Sequence, residues 1–232
     1  MIKGFSLLEV IVALTISLSV LTFVVANVGE SIRNSKKVIS NQQRMESIFQ
    51  TIDVIRSDLT KCGMRLQDPA RFLTFPLFEN SDVSFKVTYG TDDESLLETA
   101  FAGTNIIKVN RNDYFQLKRK ILIYDPGSEQ YEVNEIKGLS GSQVTLTTLL
   151  KNNYPVNSVA VILKEIEYKH YLQQNTLKRK VNAGYFQPLI DNVTDFSVTF
   201  YPEVRSVFYR IEVNEKEQVR GYIFLPHMEA GL

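Results

Sequence analysis

The chain is poor in the residues that most often carry chemistry: one cysteine, Cys62, and two histidines, His170 and His227, among 232 residues. A single thiol can form no intramolecular disulfide and no cysteine-based zinc site, so the fold must hold by packing. Free cysteine behaves as a small hydrophobe, and Cys62 is expected to be buried. The histidines lie far apart, and His170 alternates with Tyr168 and Tyr171 in a strand-like run, which reads as structural. There is no net charge, with 26 basic and 26 acidic residues, and so no global field that would draw nucleic acid or an anionic surface. No Ser-His-Asp arrangement, metal-binding His/Glu pair, Gly-x-Gly-x-x-Gly or phosphate loop is visible. Triads can be dispersed along a chain, so these absences lower the expectation of an enzyme without removing it. The reading is a protein with no catalytic residue, no metal and no cofactor.

What is present begins at the N-terminus. Residues 5 to 28, FSLLEVIVALTISLSVLTFVVANV, form one apolar stretch between Lys3 and the polar group Glu30, Arg33, Lys36 and Lys37. At the helical rise it reaches about 36 Å, against a hydrocarbon core of about 30 Å, so it is long enough to span. An ordinary secretory signal is shorter and ends at a small-residue site beyond the apolar run. Here the basic and small residues, Lys3 and Gly4, come before it, and a cut there would leave the helix attached. Glu9 is the anomaly, because an acidic group deep in a spanning helix costs about 2.5 to 3.5 kcal/mol on insertion scales and usually has a partner. Cleavage after Gly4 would place a new α-amino group on Phe5, one helical turn away. Spacing alone equally allows Glu9 to sit near the headgroups of a plain signal anchor.

The string KGFSLLEVIVAL, Lys3 to Leu14, resembles the class III signal of type IV pilins and type II secretion pseudopilins. The resemblance implies that a prepilin peptidase cuts between Gly4 and Phe5 and that Phe5 is N-methylated. It also implies an assembly role for Glu9, which in that family pairs with the N-terminal amine of a neighbouring subunit.

Beyond the apolar run, Val38, Met45, Ile48, Ile52, Ile55, Leu59, Cys62 and Leu66 recur mainly at spacings of three and four, the signature of an amphipathic helix. Asp68-Pro69 supplies the stop. Continuous helix is therefore expected from about Phe5 to Leu66, with Asn27 and Gly29 marking the membrane boundary rather than a bend. A coiled-coil dimer is the weaker alternative, because the stripe is short and lacks ordered flanking charges.

After Pro69 the texture changes to short β-branched and aromatic runs between turn residues. Strands are expected at 83–89, 105–110, 120–124, 130–136, 143–147, 158–172, 176–180, 193–201, 207–213 and 220–225. Turns are expected at Asp125-Pro126-Gly127, Gly138 to Ser142 and Gln173-Gln174-Asn175. Alternation of Val193, Asp195, Ser197 and Thr199 with Thr194, Phe196, Val198 and Phe200 suggests a sheet with one face buried. The acidic segment Gly90-Thr91-Asp92-Asp93-Glu94 matches no calcium-loop spacing and reads as a solvated turn. The basic triplets Lys118-Arg119-Lys120 and Lys178-Arg179-Lys180 read as solvated strand ends, with DNA phosphate as the competing partner.

The stretch Glu167 to Tyr201 resembles the head of PilW-type minor pilins and of the J-type minor pseudopilin. In it Tyr168, Leu172, Leu177, Val193, Phe196 and Val198 would supply core faces. The fold class expected is α+β, a long N-terminal helix packed on a predominantly antiparallel sheet. Its divisions are a leader (1–4), a membrane-embedded assembly half of the helix (5–28), an amphipathic half (29–66) and a β-rich periplasmic head (69–232). The resemblances imply a minor pilin that primes assembly at or near a pilus tip, or alternatively a type II secretion pseudopilin. The implied partners are other minor subunits, the major pilin, the prepilin peptidase, an inner-membrane assembly platform and lipid. The implied location is the inner membrane, then the filament. A membrane-anchored enzyme or sensor, and a DNA-uptake receptor, are the competing classes.

Overall fold

The computed structural model describes residues 7–214 and 217–228. The architecture is α+β, with one long N-terminal helix whose last turns pack on antiparallel sheets. Helix α1 runs Leu7–Leu59 and is followed by the single turn α2, Gln67–Ala70. The described residues divide into two compact units between Gln50 and Thr51.

In the first unit α1 passes through Asn27 and Gly29 without interruption. The polar residues inside its apolar run turn their donors back onto their own helix. Thr15 Oγ1 donates to Ile11 O at 2.7 Å, Ser19 Oγ to Thr15 O at 2.8 Å, and Asn27 Nδ2 to Phe23 O at 2.8 Å. Thr22 does the same to Leu18 O. Such back-bonding removes most of the cost of placing a hydroxyl in an apolar medium.

The second unit begins with the end of α1. Ile52, Ile55 and Leu59 are buried, at the spacing of three and four that puts them on one face. The helix stops at Leu59, earlier than the expected Leu66. Cys62 and Leu66 keep the periodicity and are buried, but they do so from a run of turns. Gly63 explains the break. Its φ is +74°, its N–H donates to Thr88 O at 3.0 Å, and a Cβ on it would stand 2.7 Å from the carbonyl oxygen of His227.

All ten expected strands are present. The first sheet contains β1 (Phe78–Ser81), β2 (Ser84–Ser95), β3 (Ile106–Lys108), β4 (Lys120–Asp125), β5 (Gln130–Ser140) and β6 (Gln143–Leu146). It is completed by β7 (Val159–Tyr171), β8 (Thr176–Val181) and β9 (Gln187–Asp191). Its order is β1-β2-β7-β4-β5-β6-β3, with β8 on β7 and β9 on β8, all antiparallel. The long strand β7 organises it, with β2 along one side and β4 then β8 sharing the other. Ile121 to Tyr124 of β4 are all buried because both faces of that strand are covered, which is why this segment reads as a continuous apolar run. Around it lies a cluster that includes Leu96, Ile107, Phe115, Ile136, Leu146, Tyr154 and Ile162.

A second sheet, β10 (Val193–Tyr201), β11 (Ser206–Val213) and β12 (Glu217–Phe224), packs beside β1 and β2 through aromatic rings. Phe85 stacks on Tyr168 with centroids 4.6 Å apart, and Phe196 and Phe78 each lie 6.0 Å from Phe85.

Four local expectations are corrected. The acidic segment 90–94 is strand, not turn. A register shift between Gly90 and Asp93 lets β2 bend while it continues along β7. Gly90 is needed there because a Cβ would meet Val161 Cγ1 at 2.5 Å. Val193 does not share a face with Ser197 and Thr199, because a shift between Val193 and Asp195 rotates it into the core with Phe196 and Val198. Leu172 is 61 % exposed rather than a core residue, since the chain leaves β7 there and enters a 3₁₀ turn ending at Asn175 with φ +49°. The span 138–142 is mostly strand, the reversal being confined to Gly141 and Ser142.

Candidate functional site

Gly4 and Phe5, the expected cleavage and methylation positions, lie outside the described residues. Glu9 lies in the first described turn of α1, where the helix dipole favours a negative charge. It is exposed, as are its apolar neighbours Leu8, Val10, Ile11 and Val12. The pattern continues along the segment: Leu7 is 79 % exposed, Leu18 66 % and Phe23 71 %. Its most apolar 18-residue window has a mean hydropathy of 2.4 with none of it buried. This stretch is long and apolar enough to span a membrane, which fits membrane anchoring. Exposed apolar surface on this scale needs lipid or other helices around it.

Among the described residues of the second unit the buried charge is Asp58, in the last turn of α1. Its Oδ2 accepts a hydrogen bond from Tyr168 Oη at 2.6 Å and from Arg179 Nε at 2.8 Å. Tyr168 on β7 and Arg179 on β8 are cross-strand neighbours, so the sheet register itself sets the two donors side by side. Burial, and secondarily the Asp58 charge, hold the Tyr168 hydroxyl protonated far above the ordinary phenol range. Asp58 is 4 % exposed and its Oδ2 is held by both donors, so it fastens the helix end to the sheet.

The other candidates resolve in the same way. His170 is buried, with Nε2 2.8 Å from Val193 O, and His227 places Nδ1 2.9 Å from Gln67 Nε2, so the two histidines are engaged separately. Cys62 is buried, its thiol donating to Leu77 O at 3.2 Å, and burial pushes its pKa up to about 12. It is therefore inert as a nucleophile.

The first basic triplet is a solvated strand end, with Lys118 and Lys120 exposed at the start of β4, whereas the second lies within β8 and is half-buried. Besides Arg179, Lys180 meets Glu167 at 2.5 Å and Lys120 meets Glu165 at 2.8 Å. Lys178 donates to Gln174 and lies 4.4 Å from the ring centre of Tyr171, while Arg119 donates to Gln116. In the acidic segment, Asp93 pairs with Arg65. Among the described residues no group of three or more His, Cys, Asp or Glu is placed to hold a metal. A depression of about 610 Å³ on the head runs along Glu98 to Ile106, and its one carboxylate, Glu98, is paired with Lys108 at 3.0 Å.

Sequence reasoning missed Asp58 and the role of Arg179. The available signal was an acidic residue one position before Leu59, beside the apolar stripe rather than opposite it.

No family model matches the chain, and no curated protein does. Among solved structures, it shows a slight likeness to the Gp54 tailspike of Acinetobacter baumannii bacteriophage AP22 in complex with A. baumannii capsular saccharide. There the TM-score is 0.29 and the identity 16 %, over 34 % of this chain and 15 % of that one. The phage phi92 endosialidase gives a TM-score of 0.20 and 6 % identity, over 62 % of this chain and 33 % of that one. The chain thus spans a third or less of the length of either protein, and likeness this slight places it with neither.

Proposed function

We propose that this chain is a minor type IV pilin that primes assembly of a pilus at or near its tip and acts by subunit binding. The observation that carries the reading is the N-terminal segment: Lys3-Gly4-Phe5 followed by Glu9 on a helix whose apolar side chains from Leu7 to Val28 are all exposed. A helix used only as a tether has no need of an acidic residue at that position, whereas a helix that enters a bundle with its neighbours can pair it with a charge on another chain. The head supports the reading in a second way. Its buried carboxylate Asp58 is held by Tyr168 and Arg179, which suits a rigid binding module more than a catalyst.

In this reading the prepilin peptidase releases the amine of Phe5 and methylates it, and the partners are other minor subunits, the major pilin and the inner-membrane assembly platform. The head lies in the periplasm before assembly. A minor pseudopilin of a type II secretion system would use the same device. Intact-mass and N-terminal peptide mass spectrometry of the membrane-extracted protein should find a chain starting at N-methylated Phe5. A chain still carrying Met1 would sink the processing step, and with it the assembly reading.

A further inference from the structure

Strand β12 ends the second sheet on an open side. Its register with β11 pairs Ser206 with Phe224 through Val213 with Glu217, and beyond it the Leu225 N–H donates to Arg205 O at 2.7 Å. Carried back along an antiparallel ladder, that bond makes residues 217, 219, 221 and 223 the hydrogen-bonded partners of β11. The N–H and C=O groups of Gln218, Arg220, Tyr222 and Phe224 therefore point away from β11. Among the described residues no backbone hydrogen bond meets them. An edge of this length is a template for another strand unless it is blunted, and β12 contains neither lysine nor proline.

The side chains on the outward face are chemically uneven. At one end Tyr222 is 69 % and Phe224 50 % exposed, with Phe208 5.1 Å and Tyr201 6.4 Å from Tyr222 between ring centres. One step along, Arg220 stands directly across from Arg210, a like-charge pair that costs stability in a sheet. Asp195 on β10, which stands across from Glu212, reaches diagonally to Arg210 at 2.5 Å. The ladder across the sheet at this level reads Ser197, Arg210 and Arg220 and, among the described residues, ends at β12.

We propose that β12 receives an antiparallel strand from another protein, one that carries a carboxylate opposite Arg220 and apolar or aromatic side chains opposite Tyr222 and Phe224. The added strand completes the backbone ladder, covers the aromatic end and sets an acid against Arg220, beside the like-charged Arg210. A second copy of β12 fits less well, since it offers the same arginine and no outward-facing acid. The proposal goes beyond the pilin reading and does not depend on cleavage at Gly4 or on Glu9.

The test uses the full chain in detergent and two synthetic peptides of eight residues. Both alternate threonine with valine or tyrosine and differ only in a central aspartate or lysine. The aspartate peptide should bind roughly threefold to fivefold more tightly, the size of one exposed charge pair. Arg220→Glu should reverse that order. Hydrogen exchange at the amides of residues 218, 220, 222 and 224 should slow by about tenfold or more on binding. Tyr222→Pro removes an outward donor without touching the ladder to β11, so it should weaken the peptide while leaving unfolding near wild type. Equal binding of both peptides by the parent and Arg220→Glu, or no slowing at those four amides, overturns the proposal. So does rapid disulfide dimerisation of Tyr222→Cys, whose new thiol would be the accessible one beside buried Cys62, because it would put a second copy on the edge.

Discussion

Residues 7–50 and residues 51–228 contain similar side chains and use them in opposite ways. In the first unit Leu7, Leu18 and Phe23 face outward, and the hydroxyls between such residues bond to their own helix. In the second, Phe85, Tyr168 and Ile162 are enclosed, and polar groups find partners far away in sequence, as Asp58 finds Tyr168 and Arg179. Apolar content alone therefore does not mark a core. What separates the two is whether a segment's own chain supplies the covering surface. The head does so for itself, while the helix requires lipid or other chains.

The largest effect expected concerns the first unit. If its surroundings are other subunits, Glu9→Ala should lower incorporation into filaments by on the order of tenfold or more while the protein still inserts in the membrane. Quantitative immunoblotting of sheared filaments against membranes measures this, and unchanged incorporation would reduce α1 to a tether. In the second unit, Asp58→Ala should destabilise the head by about 3 kcal/mol, because it leaves Arg179 and the Tyr168 hydroxyl without their acceptor. Replacing Asp58 and Arg179 together with leucine should cost less than the single change, and denaturant unfolding of both variants checks the order.

Gly63→Ala should cost about 2 kcal/mol, from a φ of +74° and a Cβ against the His227 carbonyl oxygen. The smallest effect at neutral pH belongs to Cys62. Its pKa is raised by burial to about 12, against about 8.5 for a free thiol, so the stability it confers is fully present below pH ~8.5. That contribution is lost as pH rises toward 12, at up to about 1.4 kcal/mol per pH unit. Iodoacetamide should accordingly label Cys62 only at the rate of unfolding, and fast labelling of the native chain would contradict its burial.

Much of the head was legible because β-branched and aromatic runs bounded by turn residues have few alternatives. All ten strands anticipated from the sequence are there. The two that escaped notice lack that texture: β1 is Phe-Glu-Asn-Ser, and β9 contains Pro188 at a register shift. The helix end was misplaced because Cys62 and Leu66 preserve a helical spacing while sitting in turns that Gly63 makes feasible. The segment 90–94 was misread because composition suggests a turn, while its conformation is decided by Val161 and Arg65 across the fold. Arg179 looked like one more surface cation in a basic triplet, since nothing local shows that a carboxylate 121 positions earlier would face it. The proposed processing positions, Gly4 and Phe5, were legible only by resemblance, because the chemistry proposed for them needs a second protein.

The self-bonded hydroxyls of Thr15, Ser19 and Thr22 have a consequence for traffic between phases. Transfer free energy depends on the polar groups a surface presents, and here each of these donors is already consumed by a carbonyl one turn back. To a surrounding medium the segment therefore behaves much as a run of aliphatic residues would. Moving it from acyl chains into a packed bundle of helices exchanges one oily neighbour for another, with little solvation penalty to overcome. If the chain assembles as proposed, a segment built this way can leave the bilayer and return to it, and the direction of travel would be set by specific contacts such as one made by Glu9 and not by partitioning.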